Sequence, residues 1–193
     1  MPRAAVCGVW SWWRLPLQEN LSLVTWLRQH NATRPPDRRV RFYGLDTYGG
    51  DHRDVAARDA AQYTTLEEVA RRHPQEPILL FEQVEHLDPA IPGSLGEHLA
   101  RGRLGPVRSV AALWREGDPS VRYPLGPYLP LARWLEHNRG LLVDGPAGTG
   151  ILDLRTGSTA TAAEPDPVIA EAAQRFDAVL YAPRLTAAAT AEL

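Results

Sequence analysis

Cysteine is almost absent: Cys7 is the only one in 193 residues. A single thiol excludes an internal disulfide framework and any multi-cysteine zinc site, and it suits a reducing compartment without requiring one. An excess of charge of one sign is missing as well. Lys and Arg number 21 against 23 Asp and Glu, a formal net charge of -2, so no global basic field draws in phosphate backbones and nucleic acid is not expected as a partner. Long apolar runs are also lacking. None could span a bilayer, and the AAVCGVW that follows Arg3 is far shorter than a secretory core and is broken by Trp12, Trp13 and Arg14. The expectation is a soluble cytoplasmic protein with no membrane contact. There is no internal repeat and no extended low-complexity block, and only the final TAAATAEL is expected to fray.

What remains is enough chain for one domain, residues 1–193, with a substantial core. Leu17, Leu21, Val24 and Leu27 recur at helical spacing with Trp26 beside them, which predicts an amphipathic helix over 17–29, ended near Asn31 and stopped by Pro35 and Pro36. Residues 40–45 (VRFYGL) read as a strand leaving through a glycine-rich turn that holds Asp46. Asp54 to Arg72 reads as helix, with Ala56, Ala60, Tyr63, Leu66 and Val69 on a common face; the capping-box pattern at Thr64 to Glu67 offers a later start. Residues 78–81 (ILLF) form a short continuous apolar run of the kind an interior strand carries. A short helix over 95–101 capped by Ser94, a strand over 107–113, a short helix from Leu131 to Asn138, a strand over 151–154, a helical VIAEAAQRF and a strand over 178–181 complete the chain. Helix and strand alternate. The alternation predicts an α/β fold with a mixed, largely parallel central sheet and helices on both faces.

Chemistry is sought first where a strand meets a loop, because the loops beyond strand carboxyl ends form the ligand crevice of an open α/β sheet. Glu82, Gln83, Glu85 and His86 follow the 78–81 run at once. An imidazole there titrates near neutrality, and a carboxylate beside it fixes its tautomer, which is what activating a water requires. Glu82 and Glu85 are the carboxylates near in sequence; the competing reading of His86 is a surface ion pair. His30, His73 and His137 lie at predicted helix ends and read as structural. The turn Asp51-His52-Asp54 reads as metal ligands or as a solvated loop, and the 145–150 run (GPAGTG) as a surface turn in preference to a phosphate loop, since no Lys follows its last glycine. No metal and no cofactor are expected. Gly93-Ser94-Leu95-Gly96 is not a nucleophile elbow, so there is no case for a hydrolase serine. Trp10, Trp12 and Trp13 read as core or as a contact with something outside this chain.

Several of these segments carry a resemblance. The helix residues VTWLRQHN (24–31), the strand VRFYGLD (40–46), Arg58-Asp59 ahead of ILLF and His86, and FDAVLY (176–181), with GEHL (96–99) and ILDLR (151–155) in order between, are similar to the erythromycin esterase family, whose members include enzymes that hydrolyse the lactone ester of macrolide antibiotics. The resemblance implies a small-molecule ester or macrolide substrate, with His86 as base, Glu82 or Glu85 as its orienter, and Asp46, Arg58 and Gln83 at the substrate. It also marks departures. Where the family carries a His-Asn-x-His pair, this chain has Gln83, Val84 and His86, and the family's amino-terminal Gly-Glu-x-x-His-Gly type segment has no counterpart. The implied protein corresponds to the later part of a family member, with weakened hydrolysis, or with none and a role as a small-molecule-binding or partner module. The same loss implies an uncovered sheet edge, to be covered by a second copy, by a partner or by the tryptophans near the start.

Overall fold

The computed structural model describes residues 18–45, 54–102, 104–105, 107–118, 125–145, 148–155 and 166–185. They divide between two compact units, one holding the described residues 18–43 and the other those from 44 to 185.

The first unit is built on helix α1, Gln18–Ala32. Its half-buried positions include Leu21, Val24 and Leu27, the face that the spacing predicts. Trp26 stacks on His30 one turn later, with ring centroids 4.8 Å apart. Asn31 then turns the chain back. Its amide donates to the Val40 carbonyl and its Oδ1 accepts from the Val40 N–H, both at 2.9 Å, so one side chain supplies Val40 with the pair of bonds that a strand neighbour would give. Residues 40–45 are nevertheless not a strand. Phe42 and Tyr43 are exposed, and residues 40–45 join no ladder among the described residues. Asp46 lies outside the described residues, as do Trp10, Trp12, Trp13 and the turn at 51–53.

The second unit contains helices α2 (Val55–Arg72), α3 (Val84–Leu87), α4 (Leu95–Arg101), α5 (Leu129–His137) and α6 (Pro167–Arg175). Its strands are β1 (Val110–Trp114), β2 (Val143–Asp144), β3 (Gly150–Asp153) and β4 (Ala178–Ala182), in the order β1-β4-β3-β2. The fold is α/β with a mixed sheet: β1 and β4 run parallel, while β3 is antiparallel to both β4 and β2. Between β2 and β3 the Gly145 N–H donates to the Thr149 carbonyl at 2.7 Å.

Register determines what the sheet buries. Ala111 pairs with Val179 and Leu113 with Tyr181, and Leu152 also faces Val179; all five are buried on one face with Leu131, Leu135, Ile169, Ala172 and Phe176 of α5, α6 and the segment after α6. The alternate residues Val110, Ala112, Ile151 and Val143 are exposed. Among the described residues, therefore, the sheet is covered by helices on one face rather than on both.

A second, smaller cluster gathers Leu66 of α2 with Leu95 and Leu99 of α4, and it contains none of the four strands. The expected interior strand at 78–81 belongs here and is a correction. These residues form an extended connection from α2 to α3 with no ladder pairing among the described residues; Leu79 is 96% and Phe81 94% exposed, and only Leu80 packs into the helical cluster. A continuous apolar run reports a local preference for extended backbone, whereas burial requires an edge to join and a layer to cover it. Here the paired sheet begins at β1, beyond α4.

Candidate functional site

The site is assembled by three helices, not by the mouth of a sheet. Helix α2 starts at Asp54, whose side chain accepts from the Ala57 N–H at 3.0 Å, and runs unbroken through the alternative start at Thr64. Its buried positions are Asp59, Gln62, Leu66 and Val69, spaced 3, 4 and 3, so the helix presents one core-facing stripe whose first members are polar. Helix α4 is capped by Ser94, which accepts from the Glu97 N–H at 2.9 Å. The Glu97 carboxylate reaches back to the Gly93 N–H at 2.8 Å. Between them, α3 is a single turn held tightly to α4: a Cβ on Gly96 would stand 2.1 Å from the Leu87 carbonyl oxygen, so only glycine permits this approach.

His86 lies on α3, 5% exposed, and its neighbours settle its chemistry. The Asp59 carboxylate, fully buried, accepts from His86 Nδ1 at 2.7 Å and from the Leu95 N–H at 3.0 Å. The second bond takes one of the donors that the start of α4 leaves without an intrahelical partner, where negative charge is also favoured. On the other side of the ring, Arg58 Nη2 donates to His86 Nε2 at 2.6 Å. An ionised carboxylate only accepts and a guanidinium only donates, so the network assigns the neutral imidazole with its proton on Nδ1 and its lone pair on Nε2. This is the arrangement of an acid-oriented base.

The loop after His86 is tied down as well. Asp88, buried, accepts from the Ala90 N–H at 2.9 Å, from the Tyr128 hydroxyl at 3.0 Å and from Arg175 at 3.3 Å, while its carbonyl accepts from Ser94 Oγ at 2.7 Å. Tyr128 and Arg175 belong to the sheet layer, so this carboxylate links the helical cluster to the larger core. Burial, and then the bond to Asp88, raise the Tyr128 phenol above its ordinary range.

The residues expected at the site divide accordingly. His86 and Arg58 come together, 2.6 Å apart. Glu82 does not orient the imidazole: its carboxylate accepts from the Gln83 N–H at 3.0 Å. Glu85 is exposed on α3 and adds negative charge near Tyr128. The orienting carboxylate comes from a separate helix because α3 has one turn, too short to fold a neighbouring side chain back over its own imidazole. Gln83 is the exposed residue ahead of α3. Sequence reasoning missed Asp59, although the signal was there. A stripe taken as Asp59, Gln62, Leu66 and Val69 fits the helical period as well as the alanine face does, and a carboxylate at a core position must have a partner. The structural readings of the remaining helix-end histidines hold: His30 stacks on Trp26, His73 pairs with Glu76 at 3.3 Å, and His137 contacts the Arg133 carbonyl at 2.7 Å.

Among the described residues no helix is long and apolar enough to cross a membrane, and no three His, Cys, Asp or Glu side chains are grouped to hold a metal ion. No curated protein and no solved structure matches the chain. One family model does, that of erythromycin esterase, over residues 3–55, a stretch that takes in VTWLRQHN and VRFYGLD and ends at the first residue of α2. That match covers 53 of the 193 residues and shows that the amino-terminal part of the chain is similar to the erythromycin esterase family.

Proposed function

We propose that the protein hydrolyses carboxylic esters, macrolide lactones among them, by water attack, with His86 Nε2 as general base and Asp59 as its orienting acid. The observation that carries this is the buried 2.7 Å contact between Asp59 and His86 Nδ1, which aims the ring and leaves the basic lone pair on the opposite nitrogen. Asp59 takes the part first given to Glu82 or Glu85. Arg58 is the donor nearest that lone pair, placed to meet an acyl oxygen, and Gln83 and Asp46 are the further substrate contacts of this reading. Turnover is weak, because members of a catalytic unit act together and losing one group removes most of the acceleration.

A second reading has its own support. Arg58 sits on the Nε2 lone pair, and Gln83 stands where the family carries a histidine, both of which suit a binding or partner module that does not turn substrate over. Purified protein incubated with a macrolide and followed by mass spectrometry separates the two. Gain of one water, lost in His86→Ala, supports hydrolysis. Binding of the intact macrolide with no such gain supports the module.

A further inference from the structure

Residues 78–81 have the backbone of a strand without a strand's neighbours. Exposure alternates along them and just beyond with a period of two: Leu79, Phe81 and Gln83 face solvent, while Leu80 packs into the helical cluster and Glu82 is half-buried. Among the described residues, none of the backbone N–H and C=O groups of 78–81 makes a hydrogen bond. One face is therefore seated on the chain's own helices, and the edge beside it is open. An extended apolar stretch with unpaired backbone groups is a template for another strand, and folds that keep such an edge single place a charge within it. The charges here, Glu76 and Glu82, stand at either end of the run and leave 77–81 uncharged.

We propose that this stretch, Pro77 to Gln83, pairs antiparallel with the same stretch of a second copy of the chain. The occupant is a second copy because the segment is its own complement. A twofold axis perpendicular to the two-stranded ribbon gives both strands the same bonds and closes the assembly at two. Both helical clusters then lie on one side of the ribbon and both exposed faces on the other. Charge selects between the two central registers. Centred on Leu79, the pairing sets Glu82 opposite the second copy's Glu76, and does so twice, which like charges across a ladder disfavour. Centred on Leu80, it sets Glu82 opposite Ile78 and Leu79 opposite Phe81, so an aliphatic side chain meets an aromatic one at both ends of the exposed face. The formal net charge of -2 adds little repulsion between copies. A strand of this length on each side buries about 1,000 Å2 in total, the lower end of specific interfaces, so the pair is weak and depends on concentration. The pairing is independent of the hydrolytic reading of His86.

Analytical ultracentrifugation of the intact chain over a range of concentrations reads the association. The wild type shifts from one chain to two as concentration rises and goes no further. Leu79→Lys combined with Phe81→Lys brings four ammonium groups onto one face of the ribbon and weakens the pairing by about tenfold or more. Both side chains are almost fully exposed, so that variant keeps its fold, as circular dichroism checks. Register is read by disulfide formation under oxidised glutathione in a Cys7→Ser background. Pro77→Cys mixed with Gln83→Cys, positions that stand opposite one another when Leu80 is central, gives covalent dimers, whereas Gln83→Cys alone gives none. The same mixture decides the matter if the lysine variant unfolds. A wild type that stays single at every concentration, growth beyond two chains, pairing undiminished in the folded lysine variant, or no cross-link in the cysteine mixture overturns the proposal.

Discussion

Replacing Asp59 with asparagine changes one buried atom and tests the whole local network. The carboxylate satisfies two donors, His86 Nδ1–H at 2.7 Å and the Leu95 N–H at 3.0 Å. An amide has one acceptor oxygen, so in either orientation its NH2 group is set against one of those donors. If it faces Leu95, two donors meet at the start of α4. If it faces His86, the imidazole must surrender its Nδ1 proton, and the tautomer with the proton on Nε2 then meets the Arg58 guanidinium at 2.6 Å. A hydrogen bond to a charged group is worth about 1.5–3 kcal/mol, and a buried donor left unmatched costs about 1–3 kcal/mol. Since one bond survives in neutral form, the net loss is about 2–4 kcal/mol. At about 2–4 °C per kcal/mol for a chain of this size, Asp59→Asn melts ~10 °C below the wild type. The assay is thermal unfolding followed by circular dichroism, with 15N chemical shifts of the His86 ring as the second reading. An Asp59→Asn protein that melts with the wild type and keeps the same imidazole tautomer would refute the network as described.

Three further outcomes follow from other parts of the fold. Gly96→Ala places a methyl 2.1 Å from the Leu87 carbonyl oxygen and 2.4 Å from its carbon, backbone that cannot rotate aside, so chemical denaturation should show a loss of about 3 kcal/mol as α3 is forced from α4. Phe81→Ser and Leu79→Ser change side chains almost wholly exposed and should each shift stability by less than about 0.5 kcal/mol, whereas an interior strand would lose several. Burial and the Asp88 contact hold the Tyr128 phenol above its ordinary 10.0, so the unfolded chain ionises first. The stabilisation from Tyr128 is thus complete below pH 10 and is lost as pH rises through the higher folded value; alkaline denaturation should be shallower in Tyr128→Phe.

Legibility in the sequence followed the range of the interactions. Ser94 announced α4 because a cap is a contact between residues three apart, and β1, β3 and β4 lie close to their apolar runs, whereas the capping pattern at Thr64 is overridden by an α2 that starts at Asp54. His86 was recognisable as a functional residue type with an acid nearby. Which acid was not, since Glu82 and Glu85 are adjacent in the chain whereas Asp59 is 27 residues away and arrives through the packing of α2 against α4. The same gap explains residues 78–81. Apolar content there is local information, but pairing depends on where the sheet begins, and that is decided by segments far along the chain.

The central claim is that a buried Asp59–His86 pair serves as a general base on ester substrates. Its most direct measurement is the kcat for hydrolysis of a macrolide lactone by the wild type, Asp59→Asn and His86→Ala, each confirmed folded. Slow wild-type turnover with both variants lowered together, on the order of a thousandfold or to background, is the predicted result for residues acting as one unit. Wild-type turnover that survives in folded His86→Ala would contradict it.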